Sequence, residues 1–397
     1  MTVASGTCAP AFDEVRTEFE RNFTERGELG AAVHITVDGQ SVVDMRGGTW
    51  AEDTLVHVWS CTKGATALCA HMLAARGELD LNAPVTRYWP KFGAAGKGDV
   101  LIRHLLSHQA GLPAVREPLP AGAFYDWQRM VDVLAETEPF WRPGSAHGYH
   151  GLTFGFLVGE VVRRITGKPL DEFFATEVAD PLGLEFWLRL PADQESRVTP
   201  TIPPDLAALP HAMPTMYTAA MADPGSVQGL LLFNNGGYMQ PGEADSRAAH
   251  ESVLGAVGGV TNARGLAGLY RPLSLDGGGL VPPEHLPVMG AVASASSLDA
   301  VILAPSRFAL GFVKSTDNRH LSGADAEGIL LAEDAFGHSG IGGSLGFADP
   351  QARMSFGYAM NRQGSGLGIN DRGQSLVDAA YRALGYRQVT GGGNWYR

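Results

Sequence analysis

The chain has 397 residues, 45% of them hydrophobic, with 42 acidic against 30 basic side chains and a formal net charge of −12. That size and apolar content support a large core and more than one lobe, while the acidic balance, with no Lys/Arg cluster, argues against nucleic-acid or anionic-membrane binding. Met1 to Arg16 has neither a basic start nor a continuous apolar segment, no run approaches a membrane span, and Cys8, Cys61 and Cys69 form no C-x-x-C, so the expectation is a cytoplasmic protein in a reduced compartment.

In chain order, Phe12, Val15, Phe19 and Phe23 fall at helical spacing, which predicts an amphipathic helix over 11–25. Alternating Val33, Ile35 and Val37, then Asp38-Gly39, then Val42-Val43 predict a β-hairpin with a type I′ turn, so that two strands open the chain. The next stretch, Val56 to Leu68, sets Ser60 and Lys63 three residues apart at the start of an Ala/Leu/Met-rich run that ends at Gly77. This reads as a buried helix with Ser60 in its first turn.

Residues i and i+3 share a helical face, so the Lys63 amine can reach the Ser60 hydroxyl. A serine hydroxyl becomes a useful nucleophile when a base takes its proton, and a lysine is such a base only where burial or nearby positive charge lowers its pKa. First-turn N–H groups can in addition hold the oxyanion of acyl transfer. The four residues alone are weak evidence: with this composition an S-x-x-K has about a one in four chance of arising somewhere.

Further along, Ile102 to Pro113 reads as a helix stopped by Gly111 and Pro113, and Gly151 to Thr166 as a helix closed by Gly167. Between them Trp141 to Gly151 forms a loop that holds Tyr149. From about 60 to 300 helices and Pro-rich loops such as 203–214 dominate, and 205–250 carries little signal. Strand-like sequence returns at Phe308–Val313, Ser344–Ala348 and Met354–Met360, with a last helix over about 371–384. Glycine-rich Phe336 to Gly346 precedes the second of these strands, where a ligand could lie close against the strand edge. The reading is an α+β fold: one antiparallel sheet built from both chain termini, flanked by the terminal helices, with a helical domain inserted. The division falls at 1–58 with 300–397 against 59–299, and the active site lies between the two parts.

Three other patterns point elsewhere. Gly342 to Gly346 matches G-x-S-x-G, but Ser344 precedes a strand instead of sitting on a strand-to-helix elbow. His104 and His108 have i, i+4 spacing without the glutamate of H-E-x-x-H, which favours capping or packing over zinc. Cys61 sits beside Ser60 at a helix N-terminus and reads as a neighbour pointing off the serine's face.

S-x-x-K at 60–63, Tyr149, and the triplet His338-Ser339-Gly340 before a strand, in that order and at these intervals, resemble the serine β-lactamase/penicillin-recognising superfamily. Within it the chain looks most like class C-like serine hydrolases and family VIII carboxylesterases, over roughly 15–385. The resemblance implies that Ser60 forms an acyl-enzyme, that Lys63 and Tyr149 share proton transfer, that the backbone N–H groups of Ser60 and Ile341 form the oxyanion hole, and that His338, Ser339 and Gly340 bind substrate. No metal and no other cofactor is implied. Two positions depart from the pattern: His338 stands where the superfamily usually has lysine, and Gly151 where lactamases have asparagine. A histidine with its ordinary pKa of about 6.5 is mostly neutral at pH 7, so it lacks the fixed cation that would anchor a substrate carboxylate. The expected activity is hydrolysis of short-chain neutral esters, with a β-lactamase, D-peptidase or acyltransferase on the same machinery as the alternative and a non-catalytic binding scaffold disfavoured. The expected partner is a small-molecule ester, not a nucleic acid or a membrane.

Overall fold

The computed structural model describes residues 4–204, 213–388 and 393–397. A six-stranded antiparallel sheet draws on both ends of the chain, in the order β1 (Ala4–Cys8), β3 (Gln40–Gly48), β2 (Gly30–Val37), β12 (Met354–Met360), β11 (Leu345–Asp349) and β10 (Phe336–Ser339). The β2–β3 hairpin turns at Asp38 and Gly39, with φ of +49° and +77°, the two positive values a type I′ turn requires.

On β11 and β12 side-chain size alternates along with direction. Phe347, Phe356 and Tyr358 share a core with Phe19 of α1 (Asp13–Thr24) and with Leu376 and Tyr381 of the C-terminal helix Asp371–Ala383. The opposite face carries Gly346, Ala348, Gly357 and Ala359, and against it lies the helix Ala263–Tyr270. A Cβ on Gly357 would come within 2.2 Å of the Ala263 carbonyl oxygen, so the small residues are what let this helix seat on the sheet. Both faces of β12 are thereby covered, and all seven of its residues are buried.

The intervening chain is largely helical. Its central element is α2 (Thr62–Ala75), buried on every side from Thr62 to Leu73 and packed against α5 (Phe154–Thr166), which also contacts α3 (Ile102–Leu106) and α4 (Trp127–Glu136). Gly64 is needed there: its Cβ would stand 2.1 Å from the Tyr270 hydroxyl. A small second sheet runs β5 (Phe186–Trp187), β7 (Val260–Thr261), β4 (Leu55–His57), β6 (Val198–Thr199), and fixes the chain just before Ser60.

Several sequence expectations need correction. A strand, β1, precedes the hairpin; it is an exposed edge of small and polar residues and has no apolar alternation to signal it. The helix expected over 102–113 ends at Leu106: the Ser107 hydroxyl donates to the Arg103 carbonyl at 2.7 Å, and His108 takes φ of +60°. The apolar run 308–313 is not one strand. β9 (Ser306–Phe308), paired with β8 (Ser294–Ser296), stops at Phe308, and the chain turns back at Gly311, φ +89°, where a Cβ would lie 2.4 Å from that of Ala67. A buried turn and a buried strand have the same hydrophobic signature. Of the Pro-rich loop at 203–214, residues 205–212 lie outside the described residues. Among the described residues no helix is long and apolar enough to cross a membrane.

Candidate active site

Ser60 lies in a tight 3-10 turn, Trp59–Cys61, that runs directly into α2, and not in the first turn of α2 itself. Trp59 holds φ of +48°, a backbone state costing about 1–3 kcal/mol that persists only when its surroundings fix it. They do so on two sides. The Thr62 hydroxyl donates to the Trp59 carbonyl at 2.5 Å and accepts from the Gly259 N–H at 2.8 Å, while the Val58 N–H donates to the Gly259 carbonyl at 2.9 Å. The Ser60 hydroxyl is left half-buried, facing a cleft.

Lys63 is fully buried, with Nζ 3.0 Å from Ser60 Oγ, 2.7 Å from the Gly151 carbonyl oxygen and 3.0 Å from that of Ala256. All three partners are neutral oxygens. Burial pushes the amine well below its ordinary pKa of 10.5, because desolvation penalises the ammonium. A neutral lysine has two N–H bonds and one lone pair. The two carbonyls can only accept, so they take both N–H bonds, and the lone pair is left for the Ser60 hydroxyl. Gly151 contributes no side chain here, only the carbonyl that orients Lys63.

Tyr149 places its ring 4.8 Å from Lys63 Nζ, stacked on Phe308 with the planes 7° apart. Burial raises its phenol above the ordinary tyrosine value, with a hydrogen bond to Ser60 working the other way. This shift and that of Lys63 both favour a phenol beside an amine over a phenolate beside an ammonium, which the loop sequence alone leaves open. Its backbone is tied by a residue that sequence reasoning missed. Asp299 is wholly buried, and its Oδ1 accepts from the N–H groups of Tyr149 (3.1 Å), Val301 (2.8 Å) and Ile302 (3.0 Å).

On the other carboxylate oxygen Asp299 accepts from the Ser306 hydroxyl at 2.9 Å, and Ser306 lies 2.8 Å from His147 Nε2. The three residue types of a hydrolytic triad thus meet, but Ser306 and Asp299 both address the same nitrogen, at 2.8 and 3.5 Å. The imidazole therefore does not stand between the two with one nitrogen on each, as a proton relay requires, and the cluster instead ties the Tyr149 loop to Asp299.

Across the cleft, β10 ends in His338 and Ser339, which line the cleft together with Ile341. Gly340 packs inward: its Cβ would stand 2.3 Å from the Val58 carbonyl oxygen, so only glycine lets the strand meet the Ser60 turn. The Gly340 N–H donates to the Ser344 carbonyl at 2.7 Å, and that of Gly343 to the Gly340 carbonyl at 3.0 Å. This fixes the turn that presents Ile341. His338 is buried, and desolvation is the main cause that pushes its pKa down to about 3, which leaves it neutral.

The remaining sequence candidates lie outside this constellation. Ser344 is buried behind the turn. Cys61 directs its thiol to the His338 carbonyl at 3.3 Å, and burial raises its pKa above the ordinary value, leaving it unionised. His104 and His108 each use Nδ1 to accept a backbone N–H, from Leu101 and His150. The cleft holds about 1140 Å³ of empty space including its open mouth, walled mainly by apolar side chains such as Leu152, Met216, Leu231, Ile302, Phe308 and Ile329.

A family model described as beta-lactamase matches residues 17–380. Among curated relatives, the chain is 32% identical to the esterase/beta-lactamase LipL of Mycobacterium tuberculosis, over 97% of this chain and 91% of that one. Among solved structures it is similar to a family VIII carboxylesterase, with 35% identity, a TM-score of 0.81 and coverage of 96% and 99% of the two chains. A penicillin-binding protein homolog from Caulobacter crescentus matches at 30% identity and a TM-score of 0.82, over 96% and 100%.

Proposed function

Because the chain belongs to the beta-lactamase family, we propose that it is a serine carboxylesterase that hydrolyses short-chain neutral esters through an acyl-enzyme on Ser60. The observation that carries the reading is the placement of Lys63 Nζ 3.0 Å from Ser60 Oγ with both of its other partners backbone carbonyls. In acylation the Lys63 lone pair accepts the Ser60 proton as Oγ attacks the ester carbonyl carbon. The carbonyl oxygen becomes an anion at the backbone N–H groups of Ser60 and Ile341, close to the N-terminal end of α2, where the helix dipole favours negative charge. Collapse breaks the bond to the alcohol oxygen. That oxygen takes the phenol proton of Tyr149, which regains one from Lys63. Water then attacks the acyl-enzyme, giving its proton back along the same path, and the acid leaves with Ser60 restored.

Two features support esters over β-lactams. His338 is neutral and offers no fixed positive charge to a carboxylate, and the cleft wall is mainly apolar. The lactamase reading uses the same proton path and is supported by the family and by the double name of LipL. Assaying p-nitrophenyl acetate, butyrate and octanoate beside nitrocefin separates the two: ester turnover well above nitrocefin turnover is expected, and the reverse order would assign the protein to the lactamases.

A further inference from the structure

His338 has one nitrogen spoken for and one open. Nδ1 lies 2.7 Å from the Ser339 carbonyl oxygen, and a carbonyl can only accept, so the ring proton sits on Nδ1. Nε2 therefore carries a lone pair. It is buried, has no hydrogen-bond partner among the described residues, and belongs to a side chain that walls the cleft with Ser60 and Tyr149.

A buried acceptor without a partner carries the full cost of its desolvation, and a bound group that donates to it recovers that cost. A carboxylate does the opposite, bringing its own lone pairs against this one. The ring has little freedom to change its role: it is 2% exposed, and its backbone carbonyl accepts from Cys61.

We infer that His338 is a specificity-determining residue whose Nε2 accepts a hydrogen bond from a neutral hydroxyl or amide N–H carried by the substrate near its scissile carbonyl. The preferred substrates are then esters of hydroxy or acylamino acids, uncharged but bearing a donor, rather than plain alkanoate esters. The inference rests on the esterase reading and narrows it. It also separates two effects of the histidine: without a cation an anionic substrate gains no charge pairing here, and a fixed acceptor favours a substrate that donates.

The test compares methyl butyrate with methyl 2-hydroxybutyrate and methyl 3-hydroxybutyrate, with monomethyl glutarate as the anionic control, each followed by acid release at constant pH. Ratios of kcat/KM are divided by the ratios of alkaline hydrolysis rates, which removes the hydroxyl's own effect on reactivity. A wild-type preference of about tenfold for at least one hydroxy ester is expected, the size of one hydrogen bond to a buried acceptor. In His338→Leu the preference should fall to within about twofold of unity. His338→Gln, whose amide oxygen can accept, should retain part of it. The ratio is internal to each protein, so a general loss of activity in a variant cancels. Equal rates for plain and hydroxy esters in wild type, or an undiminished preference in His338→Leu, would overturn the inference while leaving the esterase reading in place. Turnover of none of the four esters would remove both.

Discussion

Lys63 and Arg372 are both buried side chains of basic type, and the protein accommodates them in opposite ways. Arg372, 6% exposed, donates through Nη1 to Glu28 Oε1 at 3.0 Å and through Nη2 to the Arg362 carbonyl at 2.7 Å, and Tyr358 donates to the other oxygen of Glu28. The guanidinium is paired with a carboxylate. Lys63 faces neutral oxygens alone, and burial pushes its amine well below the ordinary pKa of 10.5. The first arrangement joins the C-terminal helix to the start of β2; the second leaves a lone pair beside a hydroxyl. On the proposed mechanism two buried cations by residue type thus become a fastener and a base, and the difference lies in whether a carboxylate was buried with them.

The comparison breaks most visibly at Ser60. Ser60→Ala should lower ester hydrolysis by at least about 10⁴-fold while the circular dichroism spectrum and thermal unfolding stay at wild type, since among the described residues the hydroxyl hydrogen-bonds only Lys63 and Tyr149. An active, folded Ser60→Ala protein would show that the nucleophile is another group.

Next in size is the base. Lys63→Ala and Tyr149→Phe should each reduce kcat by about 10²–10⁴-fold, and the double variant should lose little more, because both act on one proton path. Additive losses in the double variant would contradict that sharing. The sign of the pH dependence follows from the same burial. Only the neutral amine has a lone pair, so kcat/KM should fall as pH is lowered through the depressed pKa of Lys63. Stability should rise with pH between that pKa and about 10.4, because over that window the unfolded chain holds a proton the folded chain does not. A profile whose acid limb persists in Lys63→Ala would assign it to another group.

Arg372→Met sharpens the contrast from the other side. It strands the Glu28 carboxylate in the core and should cost about 3–5 kcal/mol of stability by denaturant unfolding, with kcat/KM per folded molecule within about fivefold of wild type. Lys63→Met should show the reverse pattern, a larger loss of activity for a smaller loss of stability. Equal stability costs in the two variants would mean that Lys63 is held as a charged ammonium by its three oxygens.

How much of this the sequence exposes depends on whether the chemistry lies in neighbouring residues or in distant backbone. Ser60 and Lys63 are legible because three residues along a helix is also about one hydrogen bond in space. The hairpin, α1, α5 and the C-terminal helix are legible because each alternates at its own period and ends on a turn glycine or polar cap. The orientation of Lys63 is not, since it depends on the carbonyls of Gly151 and Ala256, 88 and 193 residues away, and every residue has a carbonyl. Asp299 is equally silent: its partners include the N–H of Tyr149, 150 residues distant, and nothing in Ser297-Leu298-Asp299 marks it. The apolar run 308–313 misleads because burial dictates its composition whichever way the backbone turns.

The smallest effect concerns His338. A charge-assisted bond to a carboxylate contributes about 1.5–3 kcal/mol, so its absence should leave nitrocefin about 10- to 150-fold poorer in kcat/KM than a lysine at that position would allow. His338→Lys should therefore move the nitrocefin to p-nitrophenyl butyrate ratio upward at pH 7.5. An unmoved ratio would mean that substrate class is set elsewhere in the cleft.

The most direct measurement is covalent. Wild-type protein treated with a fluorophosphonate and examined by intact-mass and peptide mass spectrometry should carry one adduct, on the peptide containing Ser60, formed more slowly in Lys63→Ala. An adduct on the peptide containing Ser344 or Ser306, or labelling of Ser60 at an unchanged rate without Lys63, would contradict a Ser60 nucleophile activated by a buried neutral lysine.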